Sequence, residues 1–494
     1  MLESRVKSED PRINPIFPLP FSVKLNSTAP NQLRGAYHGS ECVGRSDPLT
    51  KRVVPMELET LPEKKATEVG SYFVANYPPF SIWSPEHKPA ILAALDRPPR
   101  PDTKLGLYLH IPFCRKRCKF CYFRVYTDKN ASEIEVYLSA LSKEIDLYAG
   151  RRGFGDRQFE FVYFGGGTPS YLSNAQLEHL IERINQRWTW SAAKEVTFEC
   201  EPGTLKESKL QTIKKIGVTR LSLGVEHFDD EVLSINGRAH KSPEITRAYQ
   251  WAREVGFAQI NIDLIAGMLG ETDDKWKYAV AKAIELDPDS VTIYQMEVPF
   301  NTGIAKDARE HGGVSAVASW AQKRAWVDYA FNEFQKSGYV VSSGYTLVKP
   351  ERHAGFVYRD SLWHGADLIG TGVASFGHFQ GVHYQNLDRW EDYIERLNAG
   401  ELPIHRALPV EPHQLLIREM ILQLKTGKID AGYFRAKFGA DILKEFSEAF
   451  NSLVDEGFAE IDGQQVRMTR QGLLRVDSLL PRFFEPQFRN IRYT

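Results

Sequence analysis

The spacing of apolar positions divides the chain into regions of different character. From Met1 to about Asp102 no helical or strand period is sustained. Pro and turn formers punctuate the segment ("DPRINPIFPLPF", "LDRPPRPDTK"), which predicts an irregular N-terminal extension over 1–102 with room for one helix. From Leu105 the pattern becomes regular. Short β-rich apolar runs ("LGLYLHI", "FEFVYF", "EVTFEC", "RLSLGV", "INIDLIAGM", "SVTIYQMEV") alternate with amphipathic stretches, giving six predicted strands with helices between them. In "NASEIEVYLSALSKEIDLYAG", Ser132 stands three before Glu135 as a capping box, and Ser173 and Gln176 offer the same pair in "SNAQLEHLIERINQRW". In "KSPEITRAYQWAREVGF", Ser242 is the expected cap and Pro243 the first helical residue.

Six βα units in series imply parallel strands joined by right-handed crossovers. The fold class expected is α/β: a partial (βα)6 barrel over 103–340, open on one side, with its chemistry at the C-terminal ends of the strands. After Pro299 the pattern predicts helices and an irregular segment running through "GADLIGTGVASFGHF", so 341–408 reads as a connecting segment on the substrate side. Over 409–494, three helical stretches and "FAEIDGQQVRMT", with a turn at Asp462–Gly463, predict a winged-helix-like module.

Composition removes several classes of function. A quarter of the residues are charged and the formal net charge is −1, which argues against a nucleic-acid or membrane-surface binder. The winged-helix-like tail lacks the basic stripe of a DNA reader, so a lid over substrate is the better expectation. No apolar run approaches the roughly 18–20 residues of a membrane span. The N-terminal "MLESRVKSEDPRINP" lacks the apolar core of a secretory signal. Five cysteines, an odd number, do not make a disulfide framework, and a reducing cytoplasm is the expected compartment.

Three of those five, Cys114, Cys118 and Cys121, fall within eight residues, on the loop that follows the first strand. The charged "RKR" between them argues against three buried apolar cysteines. Zinc with His110 as fourth ligand is one reading, although His110 lies inside the strand and no second Cys/His pair accompanies it. The other reading is a [4Fe–4S] cube held through three of its irons, leaving one coordination site open for a ligand. The run "YFGGGTPS" (Tyr163–Ser170) follows the next strand, and its glycines permit close backbone approach.

A three-Cys loop followed one βα unit later by a Gly run resembles the radical S-adenosylmethionine (SAM) superfamily. "LYLHIPFC", "FGGGTPS", "FECEPGTL", "RLSLGVEHFDDEVLSINGRAH" and "NIDLIAGM" narrow the resemblance to the oxygen-independent coproporphyrinogen III oxidase (HemN-like) group with its heme-chaperone relative (HemW). The tail resembles that group's C-terminal domain. The resemblance implies that Cys114, Cys118 and Cys121 ligate the cluster and that SAM chelates the open iron. An electron from the cluster then cleaves the sulfonium to a 5′-deoxyadenosyl radical. It also places Tyr108, Phe120, Gly166, Gly167, Thr168, Glu199, Glu226, Arg238 and Asp263 at SAM-contact positions, with Gln295 and Phe376 matching further ones by place only. Members of this branch can bind a second SAM.

The departures from the group are specific. Phe123 stands where the oxidase has a fourth Cys, and Glu226 where the group has Gln. Tyr358 stands where the chaperone has its heme-associated His. Arg115, Lys116, Arg117 and Lys119 are expected to be a solvated loop, or else a docking patch for an acidic flavodoxin- or ferredoxin-like electron donor or for tetrapyrrole propionates. Among His353, His364, His378 and His383 one is a candidate heme ligand. Cys200 is expected to be a small apolar filler. The resemblance thus implies a radical SAM oxidoreductase acting on a porphyrin-type substrate. A heme carrier and a radical methyltransferase or heme-opening enzyme are the alternatives.

Overall fold

The computed structural model describes residues 73–491 apart from 101, 300, 311–316, 353 and 490. Most of the expected N-terminal extension, with Cys42 and His353, therefore lies outside the described residues. The described part of that extension holds one helix, Lys88–Asp96.

All six strands form where the apolar runs predict them. They are β1 (Leu105–Ile111), β2 (Phe159–Gly166), β3 (Glu195–Cys200), β4 (Arg220–Glu226), β5 (Gln259–Ala266) and β6 (Ser290–Gln295). They pair parallel and in sequence order. Within each strand, alternate residues face opposite ways. One face carries Leu107, Leu109, Val162, Phe164, Val196, Phe198, Leu221, Leu223, Ile260, Ile262, Val291 and Ile293, all buried in one core. Burying such a side chain stabilises the fold by about 1.5–3 kcal/mol. The other face is polar, and the register lines it up: Tyr108 opposite Tyr163, Glu199 opposite Ser222, and Gly224 opposite Asp263, which is opposite Thr292.

The sheet continues beyond these six strands, and here the sequence reading is corrected. β7 (Val340–Val341) and β8 (Thr346–Val348) pair antiparallel, with β8 against β6. On the other side β9 (Asp367–Thr371) joins β1 in parallel, followed by β10 (Phe376–Phe379), β11 (Val382–Asn386) and β12 (Ile404–Pro409). The result is one twelve-stranded sheet, an open barrel with β12 and β7 at its edges, where Ser84 bridges to Ala407 of β12. The "GADLIGTGVASFGHF" stretch is therefore not irregular. Its glycines hide the strand signal because close packing demands them: a Cβ on Gly370 would lie 2.0 Å from the Phe376 carbonyl oxygen.

Two helix caps also differ. The helix Ala131–Ala149 is capped by Asn130 with Glu133, and Ser132 only donates to the Asn130 side chain (2.6 Å). The helix Ser242–Val255 is capped at Lys241, one residue earlier than expected, with Glu244 returning to the Lys241 amide (2.9 Å). The Ser173/Gln176 box forms as read.

The sheet's lower end is plugged by the helix Val357–Trp363. Buried Glu195 accepts its first amides, from Val357 (3.0 Å) and Tyr358 (3.2 Å), and Arg220 stacks on Phe356 at 3.7 Å. The C-terminal module has the helices Pro412–Leu424 and Ala431–Phe438, then a stretch that breaks at Phe446 into Ile442–Glu445 and Ser447–Asp455. A small sheet of β13 (Lys428–Asp430), β14 (Ala459–Asp462) and β15 (Gln465–Met468) completes the wing. Its core includes Val74 and Tyr77, so the first described residues strap this module. Val74 donates to Asp477 (2.8 Å), and buried Lys425 donates to the Val74 carbonyl (2.8 Å).

Candidate functional site

The loop after β1 is closed at its neck, where Tyr126 N donates to Pro112 O (2.8 Å) and Cys114 N to Tyr126 O (3.0 Å). Two other segments clamp its tip: Lys119 N donates to Asn236 O (3.0 Å), and Ile304 N to Lys119 O (3.1 Å). The loop presents all three thiols half-buried, and the charges of Cys114, Cys118 and Cys121 act on one another. Burial pushes the Cys114 thiol up to about 12 and Cys121 up to about 11, so without a metal both stay protonated. Thr168 Oγ1 donates to Cys114 Sγ (3.4 Å) and Arg238 Nη1 to Cys118 Sγ (3.3 Å). Among the described residues no three His, Cys, Asp or Glu side chains are arranged to hold a metal ion as they stand. His110, zinc's expected fourth ligand, is engaged elsewhere: its Nδ1 lies 3.1 Å from the Tyr108 hydroxyl, and its Nε2 is buried without a partner.

The glycine run follows from packing. Gly166 has φ +115° and donates its amide to Glu199 Oε2 (3.1 Å). A Cβ on Gly167 would meet the backbone of Ile111, Pro112 and Phe113 at 2.8–3.0 Å, so this residue lets β2 lie against the root of the cysteine loop.

Three carboxyl groups line the polar face at the strand ends. Glu199 accepts from the Tyr163 hydroxyl (2.8 Å) as well as from Gly166, and Asp263 accepts from Ser222 Oγ (2.8 Å) and Asn261 Nδ2 (2.9 Å). Glu226 sits on a bulge of β4 with φ +65°, a strained backbone for a residue with a Cβ, and lies 3.6 Å from Arg238. Burial raises Glu199 to about 7, Glu226 to about 7 and Asp263 to about 6. Each of the two glutamates also feels the charge of Asp263. Two guanidiniums, Arg238 beside Glu226 and Arg220 acting on Asp263, face three such acids, so the arrangement leaves room for a cationic guest.

Of the nine expected contact residues, Thr168 and Arg238 touch sulfur and Gly167 the root of the cysteine loop, Gly166 bonds to Glu199, Glu226 lies beside Arg238, and Asp263 is bonded to Ser222 and Asn261. Tyr108 stacks on Tyr163 (5.9 Å between centroids), and Phe120 packs against a small apolar cluster with Ile265, Met268 and Met296. Gln295 instead donates to the Leu474 carbonyl (2.9 Å), and the rings touching Phe376 are Phe80 and Trp83. The basic loop is largely engaged within the chain. Arg115 pairs with Glu201 (3.0 Å), Arg117 donates to the Cys121 carbonyl (3.3 Å), and Lys119 reaches Asp307 (3.4 Å). His378 and His383 are buried, with their Nδ1 atoms 2.8 Å apart, while His364 is exposed. Tyr358 packs on Tyr163 at 4.4 Å inside the sheet's polar face. Cys200 is buried, as expected of a filler.

Sequence reasoning missed the residues that hold the acids in place: Tyr163, Ser222, Asn261, and the pair Glu201–His240 behind Arg238. The signal of Tyr163, Ser222 and Asn261 was the polar alternation within "YFGGG", "RLSLG" and "INIDL", which sets polar residues at every second strand position.

Comparison with known proteins agrees with this architecture. Residues 108–283 match the Radical SAM superfamily, and residues 410–475 match the HemN C-terminal domain. The heme chaperone HemW of Bacillus subtilis is 27% identical over 74% of this chain and 96% of its own length. The oxygen-independent coproporphyrinogen III oxidase of Escherichia coli is 25% identical over 77% of this chain and 85% of its own. The solved structure of coproporphyrinogen III oxidase (HemN) from Escherichia coli superimposes with a TM-score of 0.72 at 24% identity, covering 83% of this chain and 96% of that one.

Proposed function

We infer that this chain, a radical SAM protein with a HemN-type C-terminal domain, is an oxidoreductase that acts on a carboxylated tetrapyrrole. The observation that carries the reading is that Arg238 links the cysteine loop, through Cys118, to Glu226 at the same end of the polar sheet face that carries Glu199 and Asp263. A radical SAM domain implies a [4Fe–4S] cluster and SAM, and the donor set fits both. Cys114, Cys118 and Cys121 would hold the cluster. The carboxylates of Glu199, Glu226 and Asp263 offset the positive charges of SAM, and Gly167 keeps the backbone close beneath. When bound, the pair supplies one-electron reduction of the sulfonium and, with it, hydrogen-atom abstraction from substrate.

The chain's own residues do the rest. The Val357–Trp363 helix closes the lower end of the sheet against water. Tyr122 and Tyr294 are exposed aromatics, and the charges of Glu199, Glu226 and Asp263 act on the Tyr294 hydroxyl. Tyr122 and Phe123 lie ring against ring (4.5 Å), giving a flat macrocycle an apolar wall. Lys116, exposed on the cysteine loop, can meet a propionate. In the proposed reaction each of the two reacting propionates loses a β-hydrogen atom, CO2 and one electron to become a vinyl group, and an external acceptor takes the electron. Three half-buried thiols that must stay reduced suit a cytoplasmic setting.

Anaerobic incubation with dithionite, SAM and coproporphyrinogen III tests this reading. The expected result is 5′-deoxyadenosine together with product lighter by successive CO2 losses. Deoxyadenosine-free incubations with unchanged tetrapyrrole mass would overturn it. A second reading, heme carriage, rests on the likeness to heme chaperones. Of the candidate ligands described, only His364 is exposed for iron. Tight heme uptake that a His364→Ala substitution abolishes, without turnover of coproporphyrinogen, would favour carriage.

The raised carboxyl groups give a pH signature. In the empty site, burial favours the protonated acids. Their stabilisation is complete below the ordinary carboxyl range and is lost as pH rises through about 6–7. SAM binding must run the opposite way, because its cation pairs with the ionised forms. Affinity measured by calorimetry should tighten between about pH 6 and 8. Glu199→Gln should weaken it by roughly 10- to 100-fold, the scale of a charged hydrogen bond, and flatten the pH profile.

A further inference from the structure

We propose that Arg238 is a positioning residue for the iron–sulfur centre: its guanidinium donates to the Cys118 sulfur and sets the cluster's reduction potential, and the buried Glu201–His240 pair packs behind it. The proposal rests on Cys114, Cys118 and Cys121 being the cluster ligands.

Resemblance alone gives Arg238 a carboxylate of SAM to bind, but its geometry here is spent largely on the chain itself. Nη1 lies 3.3 Å from Cys118 Sγ, and Nη2 donates to the Gly224 carbonyl (2.5 Å). The side chain is only 10% exposed, and its Nε is buried without an acceptor. The backbone brings it to the loop. Gly237, with φ +78°, passes so close that an added Cβ would lie 3.4 Å from Arg117 O and 3.6 Å from Cys118 Cα.

Behind the guanidinium is a second layer of contacts. His240, fully buried, has Nδ1 3.5 Å from Arg238 Nη2 and 2.9 Å from Glu201 Oε1, while its Nε2 lies 3.2 Å from the Val225 carbonyl. Two oxygens flank the ring, so Nδ1–H is directed to Glu201 rather than accepting from Arg238, and the pair acts on the guanidinium through packing and the charge of Glu201. Glu201 Oε1 also accepts from Arg115 Nη2 (3.0 Å) and Gly203 N (3.3 Å), which ties the start of the cysteine loop to the same anchor. Neither Glu201 nor His240 lines the acid pocket through a contact with Glu199 or Asp263. Their contacts run toward Arg238 and Arg115.

The physical consequence is electrostatic. A hydrogen-bond donor to a metal-bound thiolate withdraws electron density from the sulfur, and a fixed positive charge favours the more negative, reduced cluster. Both effects raise the potential, and both depend on the guanidinium being held within hydrogen-bond reach in a partly desolvated site.

The test is a mediated potentiometric titration of the anaerobically reconstituted full chain, read by EPR in the absence of SAM, with iron content and SAM affinity measured on the same samples. Arg238→Gln should shift the midpoint to more negative potential at unchanged iron content. Arg238→Lys, which keeps the charge without the fork, should shift it less. His240→Asn should move it in the same direction as Arg238→Gln although it alters no residue touching sulfur. Should His240→Asn fail to fold, the two Arg238 variants carry the test. An Arg238→Gln protein with full iron and the wild-type midpoint overturns the proposal, even if its SAM affinity falls. Wild-type protein that takes up no iron would instead sink the cluster reading on which it rests.

Discussion

Replacing Cys118 with Ala should reduce iron retained after anaerobic reconstitution to background and abolish 5′-deoxyadenosine formation, with the fold intact. Each thiol is expected to hold a different iron, so two remaining sulfurs leave a second corner of the cube open to water and thiol exchange. Cys118 is also the sulfur that Arg238 addresses, so its loss removes one of the guanidinium's partners and leaves Glu226 and the Gly224 carbonyl. The loop itself has other supports. The Cys114–Tyr126 and Lys119–Asn236 hydrogen bonds are backbone to backbone and survive the substitution, so the thermal midpoint should change little. Iron and sulfide analysis beside far-UV circular dichroism checks both halves. Full iron content in the variant would contradict the assignment of Cys118.

The second large effect needs no change at any polar atom. Gly167→Ala places a methyl 2.8 Å from the Pro112 carbonyl carbon, 2.9 Å from Phe113 O and 3.0 Å from Ile111 O. All three are backbone atoms, which cannot rotate away as a side chain can. Gly167 N also donates to Ile111 O (2.9 Å), so the methyl pries apart the contact that the hydrogen bond closes. Overpacking of this kind costs about 1–3 kcal/mol. The displacement falls on Phe113, the residue before Cys114. SAM affinity should drop by at least about fivefold, the lower end of that range expressed as binding, and cluster yield should fall with it. Gly150→Ala is the control. There the added carbon meets only the Asp146 carbonyl at 3.9 Å, with φ −75°, and binding should be unchanged.

The two substitutions mark how far the sequence alone could reach. The cysteine loop, the Gly run and six strands were legible because each rests on local spacing: thiols within one loop, glycines at one turn, apolar residues at every second position. The strands between Val340 and Pro409 were not, because they are short, and in β9 a glycine makes room for a distant neighbour, as Gly370 does for Phe376. The cap of the helix Ala131–Ala149 moved from Ser132 to Asn130 because two overlapping polar pairs satisfy the same pattern, and only the backbone decides between them. Glu199 and Asp263 could be placed by motif, but the raised affinity of each for its proton depends on burial and on the charge of its neighbours. The strain at Glu226 and the Glu201–His240 support were invisible for the same reason. They join residues from different strands, and no spacing along the chain encodes those contacts.

Mössbauer spectroscopy of protein reconstituted with labelled iron tests the central claim most directly. The account predicts about four irons per chain, with three in one environment and one distinct iron whose signal shifts when SAM is added. A protein that binds zinc in place of iron, or an iron spectrum that SAM leaves unchanged, would contradict it.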